Sequence, residues 1–383
     1  MTTNSQKIGI IGTGNISGAY LNIARELGLF EVSAISDLDL ARAQSQADEY
    51  GTRALGMAEL LADSEMVAVV NLTPPAAHAA VSLAILGAGK HVYSEKPLAV
   101  ERKDGQAILQ EAQARALRVG CAPDTFLGAG LQTARELLDA GRIGRPVAAT
   151  AFMMGSGPES WHPDPAFLYQ PGAGPLFDMG PYYLTALINL FGGVHKVGGS
   201  AVKALSERII GSGPRQGQSV TVNTPTHVTA QLGFDAGGFE AEGGVGPVAT
   251  FIASFDTPAS DLPRIEIYGT AGTLSLPDPN TFGGPLRVRG QNEEAWETVA
   301  LTRPFQDNAR GIGLADMLNA AARNLPHRAS GELAYHVLDV MHSVLEAAEQ
   351  ERTLTVQSRA ARPEALSAQP EWLTDTALDA MRG

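Results

Sequence analysis

The 383-residue chain holds a single cysteine, Cys121. An internal disulfide is excluded, and so is a metal site built from several thiolates. Cys121 lies in Gly-Cys-Ala-Pro-Asp, a mixed apolar and turn setting, and reads as a small buried hydrophobe. Lone thiol usage suits a reducing compartment. Lys and Arg are scarce, 28 against 41 Asp and Glu, and they never cluster. A net charge of −13 repels a polyphosphate backbone, so no nucleic-acid partner is expected. No stretch reaches the ~18 apolar residues of a membrane span. The N-terminus lacks the basic and apolar regions of a signal peptide. A cytoplasmic protein with no membrane partner is expected. The eight histidines include no H-x-x-x-H pair, and no metal site is expected.

Glycine and proline, in contrast, are plentiful, and the chain is long enough for two domains. Over residues 1–120, short apolar runs alternate with segments of helical spacing. Strand-like runs cover residues 7–12, 31–36, 66–73, 90–97 (with its exit loop) and 118–123. Helical spacing covers 19–29, 40–51, 76–89 and 103–117. This alternation predicts a doubly wound parallel sheet, a Rossmann domain, over 1–124. Beyond it, helices are expected at 129–144, 176–192, 311–324 and 331–351, with Pro181 early in its helix. Strands and turns fill most of 197–302. A second domain over 125–383 is therefore expected to be α+β, with a large, mostly antiparallel sheet.

The stretch Ile-Gly-Ile-Ile-Gly-Thr-Gly-Asn-Ile-Ser-Gly follows the first strand and opens the first helix. Gly12 permits the tight turn and Gly14 lets backbone approach a pyrophosphate. Asn15 and Ile16 complete the phosphate-facing loop before the helix start. Ser17 occupies the third glycine place and is small enough for close packing. Asp37 ends the second strand about 20 residues further on, where a carboxylate accepts from the ribose hydroxyls of NAD and repels a 2′-phosphate. Arg42 is a helical turn or more away from it. NAD is favoured over NADP. Asp37 also suits a helix N-cap.

Ligands of doubly wound sheets bind beyond the carboxyl ends of the strands. Two such ends carry polar groups: Thr73, Pro74 and His78 after one strand, Ser-Glu-Lys-Pro (94–97) after the next. Both are assigned to the cofactor rim. The Lys96 ammonium there is able to bind a substrate oxygen, and Glu95 to pair with Lys96 or touch the cofactor ribose. A surface ion pair is the plainer alternative.

The glycine turn, the Glu-Lys-Pro at 95–97 and Gly-Ala-Gly-Pro-Leu-Phe-Asp-Met-Gly-Pro-Tyr (172–182) together resemble the Gfo/Idh/MocA oxidoreductase family. The resemblance runs over most of the chain. It implies that Lys96 is the catalytic-site lysine of the E-K-P motif and that Asp178 is the substrate-contacting aspartate of D-x-G-x-H. The family's usual catalytic histidine place holds Tyr182, as in some relatives. Four residues separate Asp178 from Tyr182, which sets them on one helix face. An ammonium near the phenol would lower its pKa from ~10, so that it accepts a hydroxyl proton as hydride leaves the same carbon. Tyr183, facing another way, is a rival, and so is His162.

The loop 156–172 is rich in Trp, His, Tyr and Asp. Trp161 and His162 suit sugar contacts. Asp124 suits either sugar hydroxyls or capping. No arginine cluster accompanies these candidates, so a neutral sugar or polyol is expected rather than an anion. The expected activity is an NAD(P)-dependent sugar or polyol dehydrogenase. Alternatives are a sugar–sugar oxidoreductase with captive cofactor and a non-catalytic dinucleotide sensor. A homodimer or homotetramer through the large sheet is expected.

Overall fold

The computed structural model describes residues 5–162, 164–236, 239 and 244–373. The βα alternation folds into β1 (Lys7–Ile11), α1 (Ser17–Leu27), β2 (Glu31–Ser36), α2 (Leu40–Tyr50), β3 (Arg53–Ala54), α3 (Met57–Ala62), β4 (Ala68–Asn71), α4 (His78–Gly87), β5 (His91–Ser94), α5 (Arg102–Ala114) and β6 (Val119–Cys121). The strands form one parallel sheet in the order β3-β2-β1-β4-β5-β6. Both faces are covered, so the strands read as continuous apolar runs. Ile8, Ile10, Val69, Val70, Val92 and Tyr93 are fully buried. Gly28 and Gly51 stop α1 and α2 in the left-handed conformation. The sequence reading missed β3 and α3, which are too short to show a period.

Register brings the strand ends level. Ile11 pairs with Ser36 and Asn71, and Asn71 with Ser94. The residues that follow these ends therefore leave the sheet along one edge, its carboxyl side.

The rest of the chain builds α6 (Ala129–Asp139), β7 (Pro146–Met154), α7 (Gly174–Phe191), β8 (Val194–Val202), β9 (Glu207–Ile209), β10 (Ser219–Thr221), β11 (His227–Phe234), β12 (Val248–Ser254), β13 (Ile265–Gly269), β14 (Gly272–Leu276), β15 (Leu286–Gly290), β16 (Glu297–Val299), α8 (Ile312–Ala322), α9 (Gly331–Glu349) and β17 (Leu354–Thr355). Among the described residues, the large sheet runs β16-β15-β14-β13-β7-β12-β11-β8-β17, and β9 pairs with β10 apart from it. It is antiparallel except where β7 lies parallel to β12. Alternation is clean along β11, where Val228, Ala230 and Leu232 are buried. Gly199 in β8 admits the α9 backbone, since a Cβ there would meet the Val344 carbonyl oxygen at 2.5 Å.

Two units emerge: residues up to Ala129 with Thr302–Tyr335 and the chain from Pro363 on, and Gly130–Leu301 with His336–Arg362. The segment 302–335 thus folds with the parallel sheet. It brings α8 beside β6, and Gly120 bridges Ser330. Helix α7 starts at Gly174, so Pro181 lies two turns inside it rather than early. Proline cannot donate there, and the Phe177 carbonyl loses its i+4 partner.

Candidate active site

In the first unit, the turn after β1 has the geometry its glycines require. Gly12 sits at φ +102°, and a Cβ on it would lie 2.6 Å from the Leu72 carbonyl group. Gly14 is exposed, and a Cβ on it would meet nothing within 4 Å. Asn15 is exposed and Ile16 half-buried. Ile16 precedes α1 without a side-chain cap, and the first turn carries no acidic residue, so the helix dipole end stays unneutralised. Ser17 turns away from this surface: its hydroxyl donates to the Gly14 carbonyl at 2.6 Å and meets Gln46. The open space at Gly14 beside the start of α1 fits a dinucleotide pyrophosphate.

Asp37 emerges from β2 beside this turn. Its carboxylate accepts from the Thr13 amide at 2.7 Å, the Thr13 hydroxyl at 2.9 Å and the Asp39 amide at 2.9 Å. Arg42 donates to it at 2.7 Å and also reaches the Thr13 hydroxyl. The separation expected from sequence between Arg42 and Asp37 is thus overturned, because the first turn of α2 folds the guanidinium back. Burial opposes the Asp37 charge, but the Thr13 and Asp39 amides, the Thr13 hydroxyl and Arg42 outweigh it, and its pKa falls below the ordinary value. Nor does Asp37 cap α2: Asp39 does, accepting from the Ala41 and Arg42 amides.

The loop after β4 hangs on buried Asn71. Its side-chain oxygen accepts from the Thr73 amide and hydroxyl, and its nitrogen donates to the His78 carbonyl and Ser82 hydroxyl. Thr73 is half-buried and Pro74 exposed. His78, expected at the cofactor, is 1% exposed instead. Its Nδ1 lies 2.6 Å from the Pro97 carbonyl oxygen and its Nε2 2.7 Å from that of Thr73. Both ring nitrogens are thereby committed inside the protein. Beside it, Glu95 is held by the Tyr20 hydroxyl at 3.2 Å and by the Lys96 amide at 3.0 Å. Lys96 is half-buried, and its peptide bond to Pro97 is cis.

Asp124 requires a correction. It is 1% exposed, and one of its oxygens accepts from the Gly311 and Gly313 amides at 2.8 and 3.0 Å, anchoring the entry to α8. Burial pushes its pKa up against the pull of those two amides. It is a capping group and does not present itself to a sugar. Cys121 is buried, and burial pushes its thiol well up, so it is inert.

In the second unit, Asp178 and Tyr182 stand one turn apart on α7. Asp178 is half-buried, while Tyr182 keeps 9% exposure. Tyr183 is fully buried with its ring 5.8 Å from that of Phe251. Burial pushes its phenol well above the ordinary value. Trp161 is 67% exposed. Its ring meets the edge of His162 at 5.4 Å, and His162 meets Phe167 at 5.5 Å. The His162 Nδ1 accepts the Asp164 amide, which places its ring proton on Nε2. The loop is pinned by Arg208, which bridges Glu159 and Asp256, with the Tyr169 hydroxyl also on Glu159. These partners lie 10 to 49 residues apart, and no sequence signal links them. Among the described residues, no group of three or more His, Cys, Asp or Glu is arranged to hold a metal ion, and no helix is long and apolar enough to cross a membrane.

Comparison with known proteins adds the following. Residues 6–122 match the family model described as oxidoreductase family, NAD-binding Rossmann fold, and residues 131–275 match the GFO/IDH/MocA C-terminal domain. Inositol 2-dehydrogenase 3 of Saccharopolyspora erythraea is 35% identical over 146 residues, 37% of this chain and 43% of that protein. The chain thus spans less than half the length of that relative. The dTDP-3,4-didehydro-2,6-dideoxy-alpha-D-glucose 3-reductase of Streptomyces violaceoruber is 29% identical, covering 71% of this chain and 80% of that one. A levoglucosan dehydrogenase solved with NADH and L-sorbose superposes with a TM-score of 0.75 at 20% identity, over 92% of this chain and 99% of the other, a likeness of fold.

Proposed function

Because the chain belongs to the Gfo/Idh/MocA family of oxidoreductases, with an NAD-binding Rossmann domain, we propose that it is an NAD-dependent dehydrogenase of a neutral sugar, polyol or glycoside. The observation that carries this reading is the open Gly12–Ile16 turn on the same sheet edge as Asp37, Thr73 and the Glu95–Pro97 turn. Gly12, Gly14, Asn15 and Ile16 would hold the pyrophosphate, Asp37 with Arg42 and Thr13 the adenosine ribose, and Thr73, Pro74 and Glu95 the nicotinamide half. Bound nicotinamide supplies the hydride acceptor.

In this reading Tyr182 takes the hydroxyl proton while hydride leaves the same carbon, and returns it in the reverse direction. The Lys96 ammonium favours the phenolate. Asp178 orients the substrate by accepting from a hydroxyl. The exposed Trp161 ring and the Nε2–H of His162 suit a sugar's apolar face and its hydroxyls. The name of the inositol dehydrogenase relative supports this substrate class. We also infer that the chain pairs with a second copy through the large sheet.

The test is NAD reduction with a panel of inositols, free aldoses and alkyl glycosides, wild type beside Tyr182→Phe. Turnover on one class, falling at least ~100-fold in the variant with NAD affinity kept, supports the assignment. Undiminished turnover in Tyr182→Phe refutes Tyr182 as the base. No turnover on any class refutes the exchanging-cofactor dehydrogenase.

A further inference from the structure

His78 is spent on neither solvent nor cofactor surface, yet it joins the two loops that form the rim. Its Nδ1 faces the Pro97 carbonyl oxygen at 2.6 Å and its Nε2 the Thr73 carbonyl oxygen at 2.7 Å. Thr73 follows β4, and Pro97 is the residue after Lys96 on the loop that follows β5. The Glu95 amide donates to the Asn71 carbonyl at 2.9 Å, and the imidazole adds a second tie between that turn and the Thr73 loop, which the Asn71 side chain holds. The other side of the turn is held by Glu95, which bonds the Lys96 amide and the Tyr20 hydroxyl.

We propose that His78 is a positioning residue for Lys96, a clasp that fixes the Lys96–Pro97 turn against the Thr73 loop. The proposal rests on the reading of Lys96 as a catalytic-site lysine. Both acceptors are carbonyl oxygens, so a neutral ring, with one N–H, satisfies one of them at a time, and the imidazolium satisfies both. The clasp therefore depends on where the ring's protons are. Burial lowers the tendency of His78 to charge, the two carbonyls and the Glu95 carboxylate raise it, and the Lys96 ammonium lowers it. The pKa falls below the ordinary value. In the neutral ring the choice of tautomer decides whether the Thr73 loop or the Lys96 turn is held, and acidification adds the second bond.

A clasp and a mere packing residue differ in what their loss does. In His78→Asn, kcat is expected to fall at least tenfold while the Kd for NADH stays within twofold, and amide exchange over residues 94–100 is expected to rise at least tenfold with the rest of the parallel sheet unchanged. The wild-type kcat–pH profile is expected to show an ionisation that His78→Asn lacks. His78→Gln, whose amide donates to one carbonyl, is expected to recover part of kcat. Unchanged exchange over 94–100 in a folded His78→Asn overturns the proposal, and so does unchanged kcat. Should His78→Asn not fold, the ring nitrogens of ¹⁵N-histidine-labelled wild type decide. One protonated nitrogen at pH 7 and two after acidification support the clasp, and a ring with a free, unbonded nitrogen throughout overturns it. A wild type without turnover, but with the exchange change in His78→Asn, keeps the clasp and refutes the dehydrogenase reading instead.

Discussion

Burial and hydrogen bonding shift two aspartates of the first unit in opposite senses. Asp37 lies below its ordinary pKa. The stability it contributes is present above the unfolded value of ~3.9 and is lost as pH falls through the lower folded value. Asp124 lies above its ordinary pKa. Its favourable state is the protonated one, fully present below ~3.9, and its contribution is lost as pH rises through the raised folded value. Asp124→Asn retains an oxygen able to accept both amides and removes a buried charge. Its unfolding midpoint at pH 7 is expected to equal or exceed wild type, with turnover kept, whereas Asp124→Ala loses about 1–3 kcal/mol. A selective rise in KM for Asp124→Asn would return Asp124 to the substrate site. Arg42 lies on Asp37 and is half-exposed, and in the proposed cofactor site it would be a cation beside a 2′-phosphate. Arg42→Ala is expected to weaken NADPH binding at least tenfold and NADH binding less than threefold, measured by nucleotide fluorescence. Equal losses would detach Arg42 from cofactor choice.

At the scale of elements, the glycine turn and α7 carry the strongest demands. Gly12 combines a positive φ with a 2.6 Å approach to the Leu72 backbone, which is pinned by its amide on the Ile11 carbonyl oxygen at 2.8 Å. Gly12→Ala is expected to cost ~1–3 kcal/mol of backbone strain and to abolish nucleotide binding, while Gly14→Ala, where the added Cβ meets no protein atom, folds normally and loses affinity. Thermal unfolding with and without NADH distinguishes the two, and a Gly14→Ala protein of wild-type affinity would mean that the phosphates do not pass over Gly14. In α7, Pro181 stands between Asp178 and Tyr182 and frees a carbonyl one turn back. Its place in the helix was misjudged from sequence because the preceding Gly-Pro at 174–175 reads as loop, whereas proline at the second helical position is well tolerated.

Over the whole molecule, the two units interleave in sequence, so a cut after residue 124 does not isolate the first. Without 302–335, β6 loses its α8 neighbour and the Asp124 carboxylate loses both amides. A fragment ending at residue 124 is expected to be less stable than one that includes 302–335 through a linker, measured by urea unfolding. The second unit's sheet exposes Val147, Val202 and Val248 along with the small polar Thr250. Pairing through that face predicts a light-scattering mass near twice 40.1 kDa or higher at micromolar concentration, and a mass of one chain would exclude it.

Composition, periodicity and a handful of short motifs determined a good deal. They set the parallel sheet, the change to strands beyond it, the family and the glycine turn after β1, because these depend on local spacing and on residues a few places apart. Tertiary structure decided what Asp124, His78 and Arg42 do. Each is defined by partners far along the chain, or by the way a turn folds back: Asp124 by amides 187 and 189 residues away, His78 by a carbonyl 19 residues away, Arg42 by the curl of α2 onto Asp37. A polar side chain near a binding edge satisfies its hydrogen bonds with whatever the fold brings within ~3 Å, and spacing in sequence does not encode that.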